Sequence, residues 1–257
     1  MQSSNDVRQS MSRGENRRWP WPLAIPYAAY AWLAFTVCVL VAIVGALLLP
    51  GLERRRRWVT ASAKAALCLC AIPVGIEGTE RLPHGHCIVV ANHSSYLDGV
   101  ILQALLPPRF SYVIKGEMQN IPVVHFLLRR IGAKFVERFV ASGSARDARA
   151  LLKAAAAGES LAFFPEGTFI REPGLGRFRP GAFAAAIKGE LPVVPLAIVG
   201  SRRVLPGGTL IPRPGRLTIH ILEPIPVTHA AFSGSTELAE TARQRILQVL
   251  GEPDLLR

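Results

Sequence analysis

The sequence predicts an α/β fold in which helices cover a largely parallel central sheet, preceded by an N-terminal hydrophobic helical segment that anchors the chain to a membrane. Short apolar runs of strand length alternate with helix-like stretches from residue 75 onward. This alternation is typical of parallel sheets with helices on both faces. Residues 27–49 carry no charged side chain, and a stretch of about 20 apolar residues is long enough to cross a bilayer.

The balance of charged and apolar residues favours a lipid partner. Lys and Arg number 30 against 18 Asp and Glu, which gives a net charge of +12. A basic chain attracts anionic partners. The mean hydropathy of +0.28 is high for a nucleic-acid-binding protein, so we expect contact with anionic membrane lipids and no nucleic acid. The four cysteines lie in apolar runs without zinc or redox spacing, which predicts reduced packing thiols in a cytosolic environment.

Three segments divide the chain. Residues 1–22 form a basic tail, residues 23–74 form membrane-associated helices, and residues 75–257 form the globular domain. The uncharged stretch exceeds the apolar core of a signal peptide (about 7–15 residues), so it is interpreted as a retained anchor. Four arginines at residues 54–57 follow it and favour the cytoplasmic side. The sequence therefore predicts an inner-membrane protein with its globular domain on the cytoplasmic face.

A second apolar segment follows the arginines, over residues 58–74, with Lys64 inside it. It is too short and too marked by charge to be assigned as a second span. Three placements fit it: a helix lying along the membrane interface, a helix packed back on the first as a hairpin, or a buried linker helix.

Apolar runs and helix-like stretches place the elements of the globular domain. Strands are predicted over residues 87–91, 110–114, 134–136, 161–164, 193–199 and 217–222. Helices are predicted over residues 99–106, 123–131, 145–157, 182–188 and 236–250. Residues 205–214 are rich in Pro and Gly and are predicted to form a loop.

A histidine and an aspartate flank the exit of the first of these strands. His93 follows the strand, and Asp98 lies five residues later in the turn before a helix. The carboxylate can accept the Nδ1–H of the imidazole and leave Nε2 as a general base. The alternative is a structural histidine at a strand end. Ser94 and Ser95 are interpreted as helix N-caps and less readily as nucleophiles.

Further motifs accompany this pair downstream. Phe-Pro-Glu-Gly-Thr occupies residues 164–168 and is continued by residues 178–183, a Gly-x-x-Phe-x-x-Arg pattern runs from Gly132 to Arg138, and an apolar Pro-containing block covers residues 194–198. Together with His93-x4-Asp98, these four blocks resemble in kind and order the glycerophospholipid acyltransferase family, which includes the lysophosphatidic acid acyltransferases. The resemblance extends over roughly residues 75–222.

The resemblance implies a fold, a reaction and a set of site residues. His93 is the base, oriented by Asp98, and activates an acceptor hydroxyl for direct attack on a thioester. No Gly-x-Ser-x-Gly elbow is present in the sequence. The substrate-binding residues implied in this way are Lys115, Arg138, Glu166, Gly167, Thr168 and Arg171.

The implied substrates are a lysophospholipid acceptor, foremost 1-acylglycerol-3-phosphate giving phosphatidic acid, and acyl-CoA or acyl-acyl carrier protein as donor. No cofactor beyond this co-substrate is implied. His84 and His86 are interpreted as loop histidines, so no metal site is predicted.

One position departs from the family pattern. The family commonly continues Glu-Gly-Thr with Arg, whereas this sequence has Phe169, and Arg171 follows two residues later. The headgroup recognised is therefore either a phosphate contacted by Arg171 or that of a lyso-aminolipid such as lyso-ornithine lipid. Six further arginines form either a basic surface that faces the membrane or the carrier, or ordinary solubilising charge: Arg177, Arg179, Arg202, Arg203, Arg213 and Arg216.

Two alternatives belong to other functional classes. A lipid hydrolase would use His93 to activate water and would release fatty acid without an acceptor. A non-catalytic lipid-binding membrane protein would not need the His93 and Asp98 pair at all.

Overall fold

The computed structural model describes residues 21–136, 141–168 and 171–256. The helices are α1 (Trp21–Leu48), α2 (Leu52–Leu69), α3 (Asp98–Leu105), α4 (Pro122–Arg130), α5 (Ala141–Ala156), α6 (Gly181–Gly189), α7 (Ser201–Val204) and α8 (Ser235–Leu250). The strands are β1 (Val74–Glu77), β2 (Ile88–Ala91), β3 (Phe110–Lys115), β4 (Lys134–Val136), β5 (Ser160–Phe163), β6 (Val193–Val199) and β7 (Leu217–Ile221).

Within the described residues the strands form one seven-stranded sheet, in the order β1-β7-β6-β2-β5-β3-β4. β6, β2, β5, β3 and β4 run in one direction, because each neighbouring pair among them is parallel. β7 is antiparallel to β6, and β1 pairs in parallel with β7 at the edge. The prediction of an α/β fold with a largely parallel sheet is confirmed.

Helices cover both faces of this sheet. Val89 and Ala91 of β2 belong to one core cluster, which also contains residues of α2 and α3. Ile88 and Val90 belong to the other, which contains residues of α5, α6 and α8. Successive side chains of a strand point to opposite faces. A short run of consecutive apolar residues therefore fills both cores.

The first two helices pack against each other as a hairpin. Trp58 Nε1 donates to the carbonyl of Val41 at 2.8 Å, and the Tyr27 hydroxyl donates to the carbonyl of Cys70 at 2.8 Å at the other end of the pair. Gly45 allows this approach, because a Cβ there would lie 2.0 Å from the Trp58 ring. Of the three placements considered for the second apolar segment, the hairpin is the one observed.

One side of α1 faces away from the protein. Six of its exposed large apolar side chains recur every three or four residues: Tyr30, Leu33, Val37, Leu40, Val44 and Leu47. The stretch Ala24–Leu48 is the one helix of the described chain that is long and apolar enough, by length and composition, to cross a membrane. The structure therefore contains the apolar N-terminal helix expected of an anchor, with a continuous apolar stripe turned outward.

The arginine quartet does not act as a uniform charged cluster. α2 begins at Leu52, so the quartet lies in its first turns. Arg56 is buried and donates to the carbonyls of Ile131 and Pro108 at 2.7 and 3.0 Å and to Ser111 Oγ at 2.7 Å. Arg56 therefore holds α2 to the sheet domain and is not available to lipid headgroups.

All six predicted strands are present, and those over residues 134–136 and 193–199 have the predicted bounds. The five predicted helices of the globular domain are also present. β1 was not predicted, because three of its four residues are exposed and show no alternation. α7 was missed because it is a single turn inside a loop-like sequence.

The predicted boundary between membrane-associated helices and globular domain stays a prediction. β1 begins at Val74. Ala63 and Leu67 of α2 lie in the same core cluster as sheet residues, so the hairpin contributes to the packing of the domain. Most of the predicted basic tail lies outside the described residues.

Three of the four cysteines act as packing groups. Cys38, Cys70 and Cys87 are buried free thiols, whereas Cys68 is exposed. Burial raises the pKa of Cys87, and the opposing effect of Arg109 is smaller, so the pKa lies at about 11. That thiol therefore stays protonated at neutral pH. The packing prediction is wrong for Cys68, whose position on α2 faces outward.

Candidate active site

The motif residues meet at the edge of the sheet where the parallel strands end. β2 is the central strand and ends at Ala91, two residues before His93. Its parallel neighbour β5 ends at Phe163, three residues before Glu166. The loops that follow parallel strands emerge at the same edge, which is where open α/β sheets bind their ligands. His93 and Glu166 are therefore brought together by strand pairing.

A buried carboxylate orients His93. Asp98 Oδ2 accepts from His93 Nδ1 at 2.9 Å and from the backbone N–H groups of Ser94 and Ser95 at 2.6 and 2.8 Å. The Asp98 side chain is fully buried. Donation from Nδ1 places the imidazole lone pair on Nε2, which makes Nε2 the basic atom. The structure brings the two predicted catalytic residues into contact, and their catalytic roles stay predictions.

The prediction that Ser94 and Ser95 are helix N-caps is wrong. α3 begins at Asp98 without a side-chain cap, because the Asp98 carboxylate instead reaches back to the two serine N–H groups. This carboxylate accepts from backbone N–H groups of the preceding turn, as a capping side chain does at the start of a helix.

The two serine hydroxyls serve packing at the site. Ser95 Oγ donates to the carbonyl of Leu205 at 2.7 Å, and Ser94 Oγ lies 3.0 Å from Ser201 Oγ. Both serines are buried. These contacts tie the turn after His93 to the residues that follow β6, and they do not favour a nucleophilic serine.

Neighbouring contacts fix the backbone and ring of His93. The Asn92 amide exchanges two hydrogen bonds with Ile198 of β6, at 3.0 Å from Nδ2 to the carbonyl and at 2.7 Å from the Ile198 N–H to Oδ1. The His93 ring stacks on Phe164, with centroids 4.2 Å apart and planes inclined by 18°. Sequence reasoning placed Phe164 in a motif without giving it a role, and its position directly before Pro-Glu-Gly-Thr was the available signal.

Both oxygens of Glu166 bind backbone groups. Oε1 accepts from the His93 N–H at 2.8 Å, and Oε2 accepts from the Gly176 N–H at 3.0 Å. Burial raises the pKa of Glu166, while these hydrogen bonds and the charges of His93 and Arg202 act to lower it. A Cβ at Gly176 would lie 3.2 Å from Oε2, so a larger residue there would have to displace the carboxylate by a few tenths of an ångström. The Glu166 carboxylate therefore ties the turn that carries His93 to the loop at Gly176, and its predicted role in substrate binding stays a prediction.

A second buried charge lies behind this contact. Arg243 of α8 is 1% exposed. Its Nε donates to the carbonyl of Gly176 at 2.9 Å and its Nη2 to that of Leu175 at 3.1 Å, and it forms an ion pair with Asp254. Leu175 also forms a parallel bridge with Asp254. The end of the chain thus supports the loop that holds Glu166, and sequence reasoning missed Arg243 because its partners lie far away in the chain.

The remaining predicted residues are more scattered. Gly167 has a φ of +84°, a left-handed conformation that favours glycine. Thr168 and Arg171 are exposed, and Arg171 Nη2 lies 3.5 Å from the carbonyl of Gly208. Lys115 ends β3 at the same edge of the sheet, separated from β2 by β5. Arg138 lies outside the described residues, as does the position of Phe169.

Comparison with known proteins identifies the family. A family model described as Acyltransferase matches residues 73–199. A lyso-ornithine lipid O-acyltransferase from Pseudomonas aeruginosa is 30% identical over 217 residues, which cover 78% of this chain and 78% of that protein. The chain belongs to the acyltransferase family. The matched residues contain His93, Asp98 and Glu166, so the site described above lies in the part that defines the family.

One further relative is much longer than this acyltransferase chain. A chloroplastic 1-acyl-sn-glycerol-3-phosphate acyltransferase from Brassica napus is 32% identical over 52% of this chain, which spans only 39% of that relative's length. The crystal structure of the 1-acyl-sn-glycerophosphate acyltransferase from Thermotoga maritima superposes with a TM-score of 0.73 at 24% identity, covering 87% of this chain and 93% of that one. This second likeness establishes the shared fold.

Proposed function

We propose that this chain transfers a fatty acyl group from a thioester donor to the free hydroxyl of a lysophospholipid, foremost 1-acylglycerol-3-phosphate, which gives phosphatidic acid. The observation that carries the proposal is the 2.9 Å contact between His93 Nδ1 and Asp98 Oδ2 at the end of the central strand. A base oriented by a buried carboxylate is what an acceptor hydroxyl requires to become a nucleophile.

The proposed reaction begins at the lone pair of His93 Nε2. His93 Nε2 takes the proton of the acceptor hydroxyl as the oxygen attacks the thioester carbonyl. The tetrahedral intermediate then collapses, the carbon–sulfur bond breaks, and the thiolate takes the proton from the imidazolium. Asp98 stabilises the imidazolium that forms between the two steps, because its carboxylate accepts the Nδ1–H. No acyl-enzyme intermediate is needed.

The acceptor side is proposed from the sequence blocks. Arg138, Arg171 and Lys115 supply positive charge for the headgroup, since arginine forms bidentate contacts with phosphate oxygens. Gly167 and Thr168 form the turn beside this site. Glu166 is assigned to the same side by the sequence blocks. Its two oxygens also accept from the N–H groups of His93 and Gly176, which positions the backbone of His93.

A lyso-ornithine lipid is the second candidate acceptor. The relative named for this acceptor is 30% identical and is matched over 78% of its own length. Phe169 also stands where the family commonly has arginine. This second observation favours a headgroup with less demand for positive charge at that position.

We propose the inner membrane as the location, with the active site on its cytoplasmic face. The exposed apolar stripe of α1 supports contact with the lipid core. A cytoplasmic site gives access to acyl-CoA or acyl-acyl carrier protein as donor. The proposal requires no cofactor beyond this co-substrate.

The test is an acyl-transfer assay of the purified chain in phospholipid vesicles. Lysophosphatidate and lyso-ornithine lipid are offered as acceptors, each with acyl-CoA and with acyl-acyl carrier protein. The expected result is transfer to lysophosphatidate that His93→Ala abolishes. Higher kcat/KM for lyso-ornithine lipid selects the second candidate, and Phe169→Arg is then expected to shift the ratio of the two values toward lysophosphatidate.

Two outcomes contradict the proposal. Release of free fatty acid from the donor at an equal rate with and without acceptor identifies a hydrolase. Lipid binding without transfer to any acceptor, unaffected by His93→Ala, identifies a non-catalytic lipid-binding protein.

A further inference from the structure

The loop over residues 205–214, between α7 and β7, carries an exposed apolar tip. Leu210 and Ile211 are 69% and 49% exposed. Two adjacent aliphatic side chains at the end of a Pro- and Gly-rich loop contribute nothing to the core. Isolated exposed apolar residues are ordinary in soluble proteins. Whether this tip contacts a partner must therefore be judged from the residues around it.

The tip lies beside the apolar side of α1. Trp32 Nε1 donates to the carbonyl of Leu210 at 2.6 Å. Trp32 is itself partly exposed, and Leu33, the next residue of α1, belongs to the outward apolar stripe. The loop tip therefore extends the surface of α1 that we assign to lipid.

Positive charge flanks the tip. The segment over residues 199–222 contains four arginines and no Asp or Glu. Arg203 and Arg213 are exposed on either side of the tip, and Arg171 lies against Gly208 within the loop. An apolar tip with arginines beside it fits an anionic bilayer, because the side chains reach apolar and phosphate layers together.

The base of the loop is tied to the catalytic turn. Leu205 accepts the 2.7 Å hydrogen bond from Ser95 Oγ, and Ser201 contacts Ser94 at 3.0 Å. Ser94 and Ser95 directly follow His93. The distance between the loop and the proposed base is therefore set by buried hydrogen bonds.

We propose that residues 205–214 form a second membrane-contacting element, in which Leu210 and Ile211 enter the interface of an anionic bilayer and Arg203 and Arg213 bind lipid phosphates. The loop then sets the depth of His93 relative to the headgroups. This deepens the proposed function, since it states how an acceptor held in the bilayer reaches the site.

The first test measures depth without activity. In a Cys68→Ser background, which leaves the three buried thiols, Ile211→Cys is labelled with an environment-sensitive fluorophore. Vesicles of phosphatidylcholine and phosphatidylglycerol are expected to shift its emission to the blue, and spin-labelled lipids to quench it. A label that stays in water overturns the proposal.

Val227→Cys in the same background is the matched control. Val227 is 39% exposed and lies two residues after Ile225, which pairs with Val193 at the start of β6. The loop follows the other end of β6, so a label at residue 227 is expected to remain in water. Equal quenching at both positions also overturns the proposal, because it indicates non-specific adsorption.

The second test links the loop to turnover. The double variant Leu210→Asp with Ile211→Asp is expected to lower kcat/KM for an acceptor embedded in vesicles by at least about tenfold, since burial of one Leu or Ile is worth roughly that factor or more. Its kcat/KM for a short-chain, water-soluble lysolipid should equal that of the wild type. An equal loss with both acceptors overturns the proposal. Absence of transfer by the wild type would instead refute the proposed function, and the fluorescence result would stand apart from it.

Discussion

At the scale of single residues, one oxygen of Asp98 both stabilises the local turn and orients the proposed base. Asp98 Oδ2 accepts three hydrogen bonds, two of them from the backbone of the turn that carries His93. The turn and the imidazole are therefore held by the same atom. The consequences of changing His93 and Asp98 differ for this reason.

His93→Ala removes the base and leaves the turn intact, because the two serine N–H groups keep their acceptor. We expect kcat to fall by about 10²–10⁴-fold, the range ascribed to general acid–base catalysis, with circular dichroism unchanged. His86→Ala is the control, since His86 contacts Ser160 at the opposite end of β5. A folded His93→Ala variant with wild-type turnover would refute the mechanism.

Asp98→Asn keeps an acceptor oxygen and loses the charge. We expect kcat to fall, because the neutral amide does not stabilise an imidazolium. The fall should be smaller than in His93→Ala, because the amide oxygen still holds the imidazole ring. Hydrogen bonds to a charged group contribute about 1.5–3 kcal/mol, so the free energy of unfolding should also fall by roughly that amount. Urea titration and steady-state kinetics on the same preparation separate the two effects. Unchanged kcat would remove Asp98 from the mechanism.

Glu166 predicts a pH dependence of stability. Its pKa is raised above the ordinary 4.5 by burial, so the folded state keeps the proton to higher pH than the unfolded state does. Stability contributed by this group is therefore full below pH 4.5 and is lost as the pH rises through the folded pKa. Glu166→Gln should flatten the decline in the free energy of unfolding between pH 4.5 and the raised pKa. Equal slopes in both proteins would contradict the assignment.

At the scale of elements, α8 and the chain end support the loop after β5. Arg243, on α8, binds the carbonyls of Leu175 and Gly176 and pairs with Asp254. The Gly176 N–H then binds Glu166. A helix at the back of the sheet is thereby connected to the catalytic turn by consecutive hydrogen bonds.

Arg243→Met should be strongly destabilising, because it removes the buried ion pair with Asp254 and the hydrogen bonds to the carbonyls of Leu175 and Gly176. Loss of one partner of a buried ion pair costs about 3–5 kcal/mol. Arg245→Met, on the same helix, is the matched control, since Arg245 donates to the carbonyls of Glu223 and Pro224 near the surface. We expect a change within about 0.5 kcal/mol there. Denaturant midpoints measure both, and similar midpoints for the two variants would contradict the role of Arg243.

At the scale of the whole molecule, the N-terminal hairpin is part of the fold as well as the expected anchor. Arg56 binds Ile131, Pro108 and Ser111, and Arg130 donates to the carbonyls of Ala46 and Leu47 at the end of α1. Deletion of residues 1–57 is therefore expected to unfold the domain as well as to release it from membranes.

Arg56→Met tests this integration without deletion. Three acceptors lose their donor, and each unsatisfied buried group costs about 1–3 kcal/mol. Arg54→Met lies two residues earlier at an exposed position and should change the free energy of unfolding by no more than about 0.5 kcal/mol. Equal stability of the two variants in detergent would show that the hairpin is only attached to the domain.

The sequence by itself determined the elements whose signal is local. β6 was predicted with its observed bounds because its seven consecutive residues are all apolar, and six of them are buried. The spacing from His93 to Asp98 predicted their contact, since five residues across one turn bring the side chains within reach. The exposed apolar stripe of α1 could be anticipated, because residues 27–49 carry no charged side chain.

Only the tertiary structure decided what depends on residues far apart in the chain. Glu166 holds the N–H of His93, 73 residues away, and Arg56 reaches Ile131, 75 residues away. β1 is a strand because β7 supplies its hydrogen bonds, although its own residues are mostly exposed. The local sequence records which side chains are apolar and where turns occur, whereas the partner of a buried charge is fixed only when strands and helices pack.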